Sequence, residues 1–232
     1  MPRPTIVLFD IDGTLLDAAG AGRRAMVAGF SAITGRPEGL DAIRFAGMTD
    51  PSIVREGLVA LGLPHDPATV VAVIEAYLQH LPDELRRGPP RVLPGVEALL
   101  DALREHDQVA LGVGTGNVEA GARAKLSAAG LQPRFGFGGY GSDHEERAEL
   151  LRVGAQRGAG RLGRPLDACR VLVVGDTPRD VAAARAIGAA CLAVATSHYD
   201  LASLERAGPD RVVSALTDPA ALAWLRARID AA

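Results

Sequence analysis

The stretch Thr5-Ile-Val-Leu-Phe-Asp10-Ile-Asp12-Gly-Thr14-Leu-Leu16 decides how the rest of the chain is read. Ile6 to Phe9 form an unbroken apolar run, the mark of a strand buried on both faces. Asp10 follows at once, then Asp12, then Gly13, where a non-helical bend is cheap. Carboxylates at the carboxyl end of a central parallel strand stand where open α/β sheets bind ligands. A buried carboxylate is costly unless it is paired or meets a cation. The pair therefore points to a metal, a nucleophile or both, whereas an isolated DxDG would read as a polar turn.

After Leu16 the pattern turns helical. Met26, Val27, Phe30 and Ile33 share a face that Gly35 and Pro37 end. A second helix from near Pro51 carries Ile53, Val54, Leu58 and Leu61 up to Gly62 and Pro64. A third, from about Pro67, carries Val70, Val71, Ile74, Tyr77, Leu78 and Leu81. Pro82 and the run from Gly88 to Gly95 read as a stiff return. Helices without an intervening strand predict a helical insert over 17–89, set into an α/β core of 1–16 and 90–232. In that core, strands are expected at Val109–Val113, Phe135–Tyr140, Arg170–Val174 and Cys191–Ala195, with a candidate edge strand at Arg211–Val213. Their alternation with helices predicts a doubly wound, Rossmann-like parallel sheet.

Two more strand ends carry chemistry. Gly112-Val-Gly114-Thr115-Gly116-Asn117 opens a helix, but it misses the GxGxxG spacing of a dinucleotide loop. Its Thr115 hydroxyl and the amides of Thr115, Gly116 and Asn117 instead suit a phosphate at a helix N-terminus. Val174-Gly175-Asp176-Thr177-Pro178-Arg179-Asp180 brings a further pair of acids to the end of another apolar strand.

DxDGT at residues 10–14, Thr115 after the second core strand and GDxxxD at residues 175–180 together resemble the signature motifs of the haloacid dehalogenase superfamily. The pattern as a whole looks most like the phosphoglycolate phosphatase branch with a helical cap. The resemblance implies a Mg²⁺-dependent phosphatase that acts on a small phosphate monoester through an aspartyl phosphate. Asp10 would be the nucleophile, Asp12 the general acid and base, and Thr115, Gly116 and Asn117 the phosphate binders. Asp10, the Asp12 backbone carbonyl and Asp176 would hold the metal, with Asp180 in its outer shell or acting through water. Four gathered carboxylates repel one another strongly at low dielectric, and oxygen-only ligands favour Mg²⁺ over zinc. The second motif-one aspartate argues against a dehalogenase or phosphonatase and leaves a phosphatase or a β-phosphoglucomutase-type phosphomutase. A receiver-like phospho-acceptor is a third reading, although such domains are shorter and need no helical insert.

The third motif departs from the family pattern, which places a lysine between the third and fourth core strands. Lys125 is the one lysine of the chain, and it falls in the helix after the second core strand. In Gly141-Ser-Asp-His144-Glu-Glu-Arg147-Ala-Glu-Leu150, Arg147 is the expected substitute, with His144 and Arg152 as alternatives. The loop Phe45-Ala-Gly47-Met-Thr49-Asp50 is the part of the insert expected to face the site, and it also reads as an ordinary helix N-cap. His65, His80, His106 and His198 lack metal-ligand spacing and read as surface residues.

Bulk properties set the remaining bounds. A net charge of −3 without a basic block argues against nucleic acid as the main partner. The sequence reads as carrying neither a signal peptide nor an apolar span of membrane length. Cys169 and Cys191 are too few for a disulfide framework or a zinc cluster. The expectation is a cytoplasmic monomer or homodimer acting on a small phosphorylated metabolite, with no membrane partner.

Overall fold

The computed structural model describes residues 3–231; Met1, Pro2 and Ala232, at the ends of the expected core ranges, lie outside the described residues. The apolar run forms β1 (Thr5–Phe9), and every residue of it is buried. Val7 and Phe9 enter one core layer, while Ile6 and Leu8 enter the other. This two-sided burial puts β1 inside a parallel sheet rather than at its edge.

The other sheet strands are β4 (Val109–Thr115), β5 (Gly138–Tyr140), β6 (Arg170–Gly175), β7 (Ala190–Val194) and β8 (Arg211–Val213), counted after the short β2 (Leu16–Asp17) and β3 (Arg91–Val92). Their order is β5-β4-β1-β6-β7-β8, and each pairing is parallel. The doubly wound α/β class read from the sequence is therefore the fold observed. The strand expected over Phe135–Tyr140 is shorter, because a 3-10 turn spans Gln132–Arg134 and Phe135 packs beside Phe9 instead. Register decides function: Phe9 lies opposite Val113 on one side and Val174 on the other. The three strands consequently end at one edge, which brings Asp10, Thr115 and Asp176 together.

The core helices are α4 (Val96–Arg104), α5 (Glu119–Ala128), α6 (Arg147–Leu162), α7 (Pro178–Ala186), α8 (Leu201–Ala207) and α9 (Pro219–Ile229). They follow α1 (Ala21–Thr34), α2 (Asp50–Ala60) and α3 (Pro67–Arg87), which stand between β2 and β3. β2 and β3 pair antiparallel, Leu16 opposite Val92, and so bring the two ends of this helical segment side by side. The segment has a core of its own, built on Met26, Phe30, Leu58, Val73, Tyr77 and Leu81.

Pro82 corrects the sequence reading. It lies inside α3 rather than in the return, which starts only at Gly88. A proline costs the helix one hydrogen bond. Burial of Leu81, Glu84 and Leu85 continues the apolar face past it and overrides that cost.

Candidate active site

A cavity of about 460 Å³ opens at the carboxyl edge of β1, β4 and β6. Its wall includes Asp10, Asp12, Thr115, Arg147 and Asp176 from the core, and Met26, Phe45, Asp50 and Tyr77 from the helical segment. Loop 45–50 does line it, and Thr49 at the same time caps α2 through a capping box with Ser52. Both readings of that loop therefore hold.

Asp10 is 6% exposed, and its backbone amide donates to Val174 O at 2.9 Å, which ties it to the neighbouring strand. Arg147, the first residue of α6, places Nη2 at 3.1 Å from Asp10 Oδ1 and 2.5 Å from Asp180 Oδ1. Of the residues offered for the third motif, Arg147 alone reaches this point. His144 Nδ1 instead accepts from the Glu146 amide, and Arg152 pairs with Glu149 and donates to Ala186 O at 2.9 Å. Burial lifts the Asp10 carboxyl to about 6; Arg147 opposes this, while Asp180 and Asp12 add to it. Burial also works against the Arg147 charge, but Asp10 and Asp180 more than offset it and push its pKa up.

Asp180 is claimed by local structure. Its Oδ2 accepts from the Thr177 hydroxyl at 2.7 Å and the Thr177 amide at 3.0 Å in the capping box of α7, and its Oδ1 takes Arg147. Asp176 differs. It is 2% exposed and accepts from the Thr14 hydroxyl at 2.9 Å and from the Ser197 hydroxyl. Among the described residues no cationic side chain pairs with it. Burial first, then the charges of Asp10 and Asp180, raise its pKa well above its ordinary value. Asp10, Asp176 and Asp180 each offer an oxygen within 4.8 Å of one another. A buried carboxylate met only by hydroxyls, beside two more carboxylates, fits a hard divalent cation.

Thr115 is fully buried at the end of β4, and its Oγ1 accepts from Asn117 Nδ2 at 2.9 Å and from the Asn117 amide at 3.3 Å. The helix N-terminus expected at residues 115–117 is corrected here, because α5 begins at Glu119 with Val118 as its N-cap. The Asn117 amide is thus engaged inside the turn, while Asn117 itself lines the cavity. Gly116 is required by close approach, since a Cβ there would stand 2.0 Å from Met48 O.

Lys125, read from the sequence only as falling outside the third motif, nevertheless reaches the site. From α5 its Nζ reaches Asp12 Oδ2 at 2.6 Å and Asn117 Oδ1 at 2.7 Å. It was missed because helical periodicity alone does not say which loop a helix face meets. Asp50 was read only as part of a loop. It is a buried carboxyl whose Oδ2 accepts from Val118 N at 2.8 Å, and burial raises it to about 6 against the pull of Lys125. His198 lies on the exposed rim of the same cavity.

Comparison with known proteins agrees with this geometry. The haloacid dehalogenase-like hydrolase family matches residues 4–188. A protein of Dickeya dadantii named "Probable phosphatase IndB" is 30% identical over 214 residues, 92% of this chain and 90% of its own. The phosphoglycolate phosphatase of Synechococcus elongatus is 28% identical over 218 residues, covering 91% and 93% of the two chains. The crystal structure of CbbY from Rhodobacter sphaeroides in complex with phosphate superposes with a TM-score of 0.69 at 19% identity, over 96% of this chain and all of that one, a likeness of fold. With its acids gathered at one edge of the sheet, the motif spacing and a family match over most of its length, the chain belongs to the haloacid dehalogenase-like hydrolases.

Proposed function

We propose that this enzyme, a phosphatase, hydrolyses a small phosphate monoester with Mg²⁺ bound and through an aspartyl phosphate on Asp10. The observation that carries the reading is Asp10 itself: a buried strand-end carboxylate facing the cavity, with Arg147 on one oxygen and Asp176 beside it. Asp10, the Asp12 carbonyl and Asp176 would hold Mg²⁺, while Asp180 stays outside as the anchor of Arg147. When bound, the ion supplies positive charge against the phosphoryl oxygens.

The chain's own groups do the rest. Asp10 attacks phosphorus while Asp12 gives a proton to the departing ester oxygen; later Asp12 takes a proton from the water that opens the intermediate. Arg147 and the Thr115 hydroxyl face the developing charge on the equatorial oxygens. Thr115 Oγ1 accepts both bonds from Asn117, which leaves its own proton to donate. Residues 17–89 act as the cap that excludes water and selects the leaving group. A cavity of about 460 Å³ suits a small metabolite such as a sugar phosphate or phosphoglycolate. Two buried free cysteines fit a reducing compartment, so we place the enzyme in the cytosol.

A phosphate-release panel of small esters, with and without Mg²⁺, tests this. Asp10→Asn abolishes turnover, and Asp12→Asn lowers it by about 10²–10⁴-fold. Equal activity in Asp10→Asn would overturn the reading. Near-stoichiometric isomerisation of a sugar phosphate with little free phosphate would reassign the enzyme as a mutase.

A further inference from the structure

Lys125 is the one lysine of the chain, is only 4% exposed, and has no part in the chemistry just described. Its ammonium donates to Asp12 Oδ2 and to Asn117 Oδ1. Asn117 Nδ2 reaches the same Asp12 oxygen at 2.8 Å, which closes a triangle of three side chains. Among the described residues no hydrogen bond reaches Asp12 Oδ1, and Asp12 lines the cavity. Removing a lysine from water is expensive, and a well-packed apolar side chain would hold the helix at least as well. The space around the ammonium is also closed from the far side. A Cβ on Gly22 of α1 would lie 3.0 Å from Nζ and 3.3 Å from Cε.

We propose that Lys125 is a positioning residue for Asp12. With Asn117 it anchors the carboxyl through Oδ2 and keeps Oδ1 turned to the ester oxygen of the substrate. The inference rests on the role of Asp12 proposed above. As Asp10 attacks phosphorus, the ester P–O bond breaks, its electron pair stays on the alcohol oxygen, and the proton on Asp12 Oδ1 passes to that oxygen. An unanchored Asp12 samples other rotamers, and lost orientation is lost rate. In the first half-reaction, which kcat/KM reports, the loss falls on substrates that need the proton. An alkoxide is a poor leaving group without it, whereas p-nitrophenolate leaves unaided.

The test compares the fastest alkyl phosphate of the panel with p-nitrophenyl phosphate, in the wild type, Lys125→Met and Gly22→Ala, with thermal melts of each. Lys125→Met lowers kcat/KM on the alkyl ester by about 10²-fold, in the range of a lost acid–base group, and leaves kcat/KM on p-nitrophenyl phosphate close to wild type. Gly22→Ala keeps every charge and suits a helix better than glycine, so it folds even if Lys125→Met does not. By crowding the ammonium it produces the same selective loss to a smaller degree. Equal losses of kcat/KM on both esters, or an unchanged alkyl kcat/KM, in a variant that melts like wild type would overturn the positioning role while leaving the phosphatase reading intact. A wild type inactive on both esters would refute that reading, and this inference with it.

Discussion

Gly13 is one of the tightest points of the site. Its φ is +83°, and a Cβ there would stand 2.5 Å from Asp176 Oδ2 and 2.8 Å from the Ser197 Cβ. An alanine must therefore strain the turn and push Asp176 out of line with Asp10. Gly13→Ala is expected to lower phosphate release by at least about 10²-fold, the cost of displacing a reacting geometry by about 1 Å. It should also blunt the rise in melting temperature that Mg²⁺ produces; a variant with wild-type response to Mg²⁺ would show that Asp176 takes no part in holding the ion. At this scale Asp10 and Asp176 were legible because each follows an apolar strand, and strand ends in a parallel sheet share an edge. Lys125 was not. Its partner Asp12 lies 113 residues away, and only the packing of α5 against the first turn makes the two neighbours.

The helical segment depends on how closely α1 and α3 approach. Gly29 in α1 faces the α3 backbone, where an added Cβ would sit 2.3 Å from Tyr77 N and 2.7 Å from Tyr77 Cα. Backbone cannot turn aside as a side chain can, so the helices would have to separate. Gly29→Ala is expected to destabilise by about 1–3 kcal/mol as overpacking, net of the gain in helix propensity of about 1 kcal/mol, because the clash is with backbone. For a chain of this size that lowers the melting temperature by several degrees, at about 2–4 °C per kcal/mol. Gly160 in α6 is the opposite case, with nothing within 4 Å of where a methyl group would sit, and Gly160→Ala should raise the melting temperature slightly. A calorimetric scan of the pair checks both signs. Element boundaries were readable where a glycine or a cap sets them, as at Gly35 with φ +68° or Gly188 with φ +70°. They were misread at Pro82, because proline is a local signal and the buried face of Leu81 and Leu85 is a tertiary one.

The whole molecule folds around carboxyls it would hold more cheaply with protons or a cation on them. Asp10 and Asp50 each rise from 3.8 to about 6, and Asp176 is raised as well. A carboxyl raised on folding contributes stability below its unfolded value and loses it as pH climbs through the folded one. From about pH 4 to pH 6 the Asp10 and Asp50 contributions disappear, each about 3 kcal/mol at 1.36 per pH unit. The carboxylates held low, such as Glu84 and Glu145, are ionised in both states above pH 5 and do not oppose the trend. Free of metal, the protein should thus melt lower at pH 7.5 than at pH 5. A cation favours the ionised form of Asp10 and Asp176, so millimolar Mg²⁺ should raise the melting temperature much more at pH 7.5 than at pH 5. Asp50, which accepts from the Val118 amide and lies outside the cluster of Asp10, Asp176 and Asp180, serves as the internal control: Asp50→Asn should flatten the metal-free pH dependence and leave the Mg²⁺ response in place. Melts at the two pH values, with EDTA and with Mg²⁺, decide it; a Mg²⁺ effect that is equal at both would mean that the buried acids are not where the ion binds.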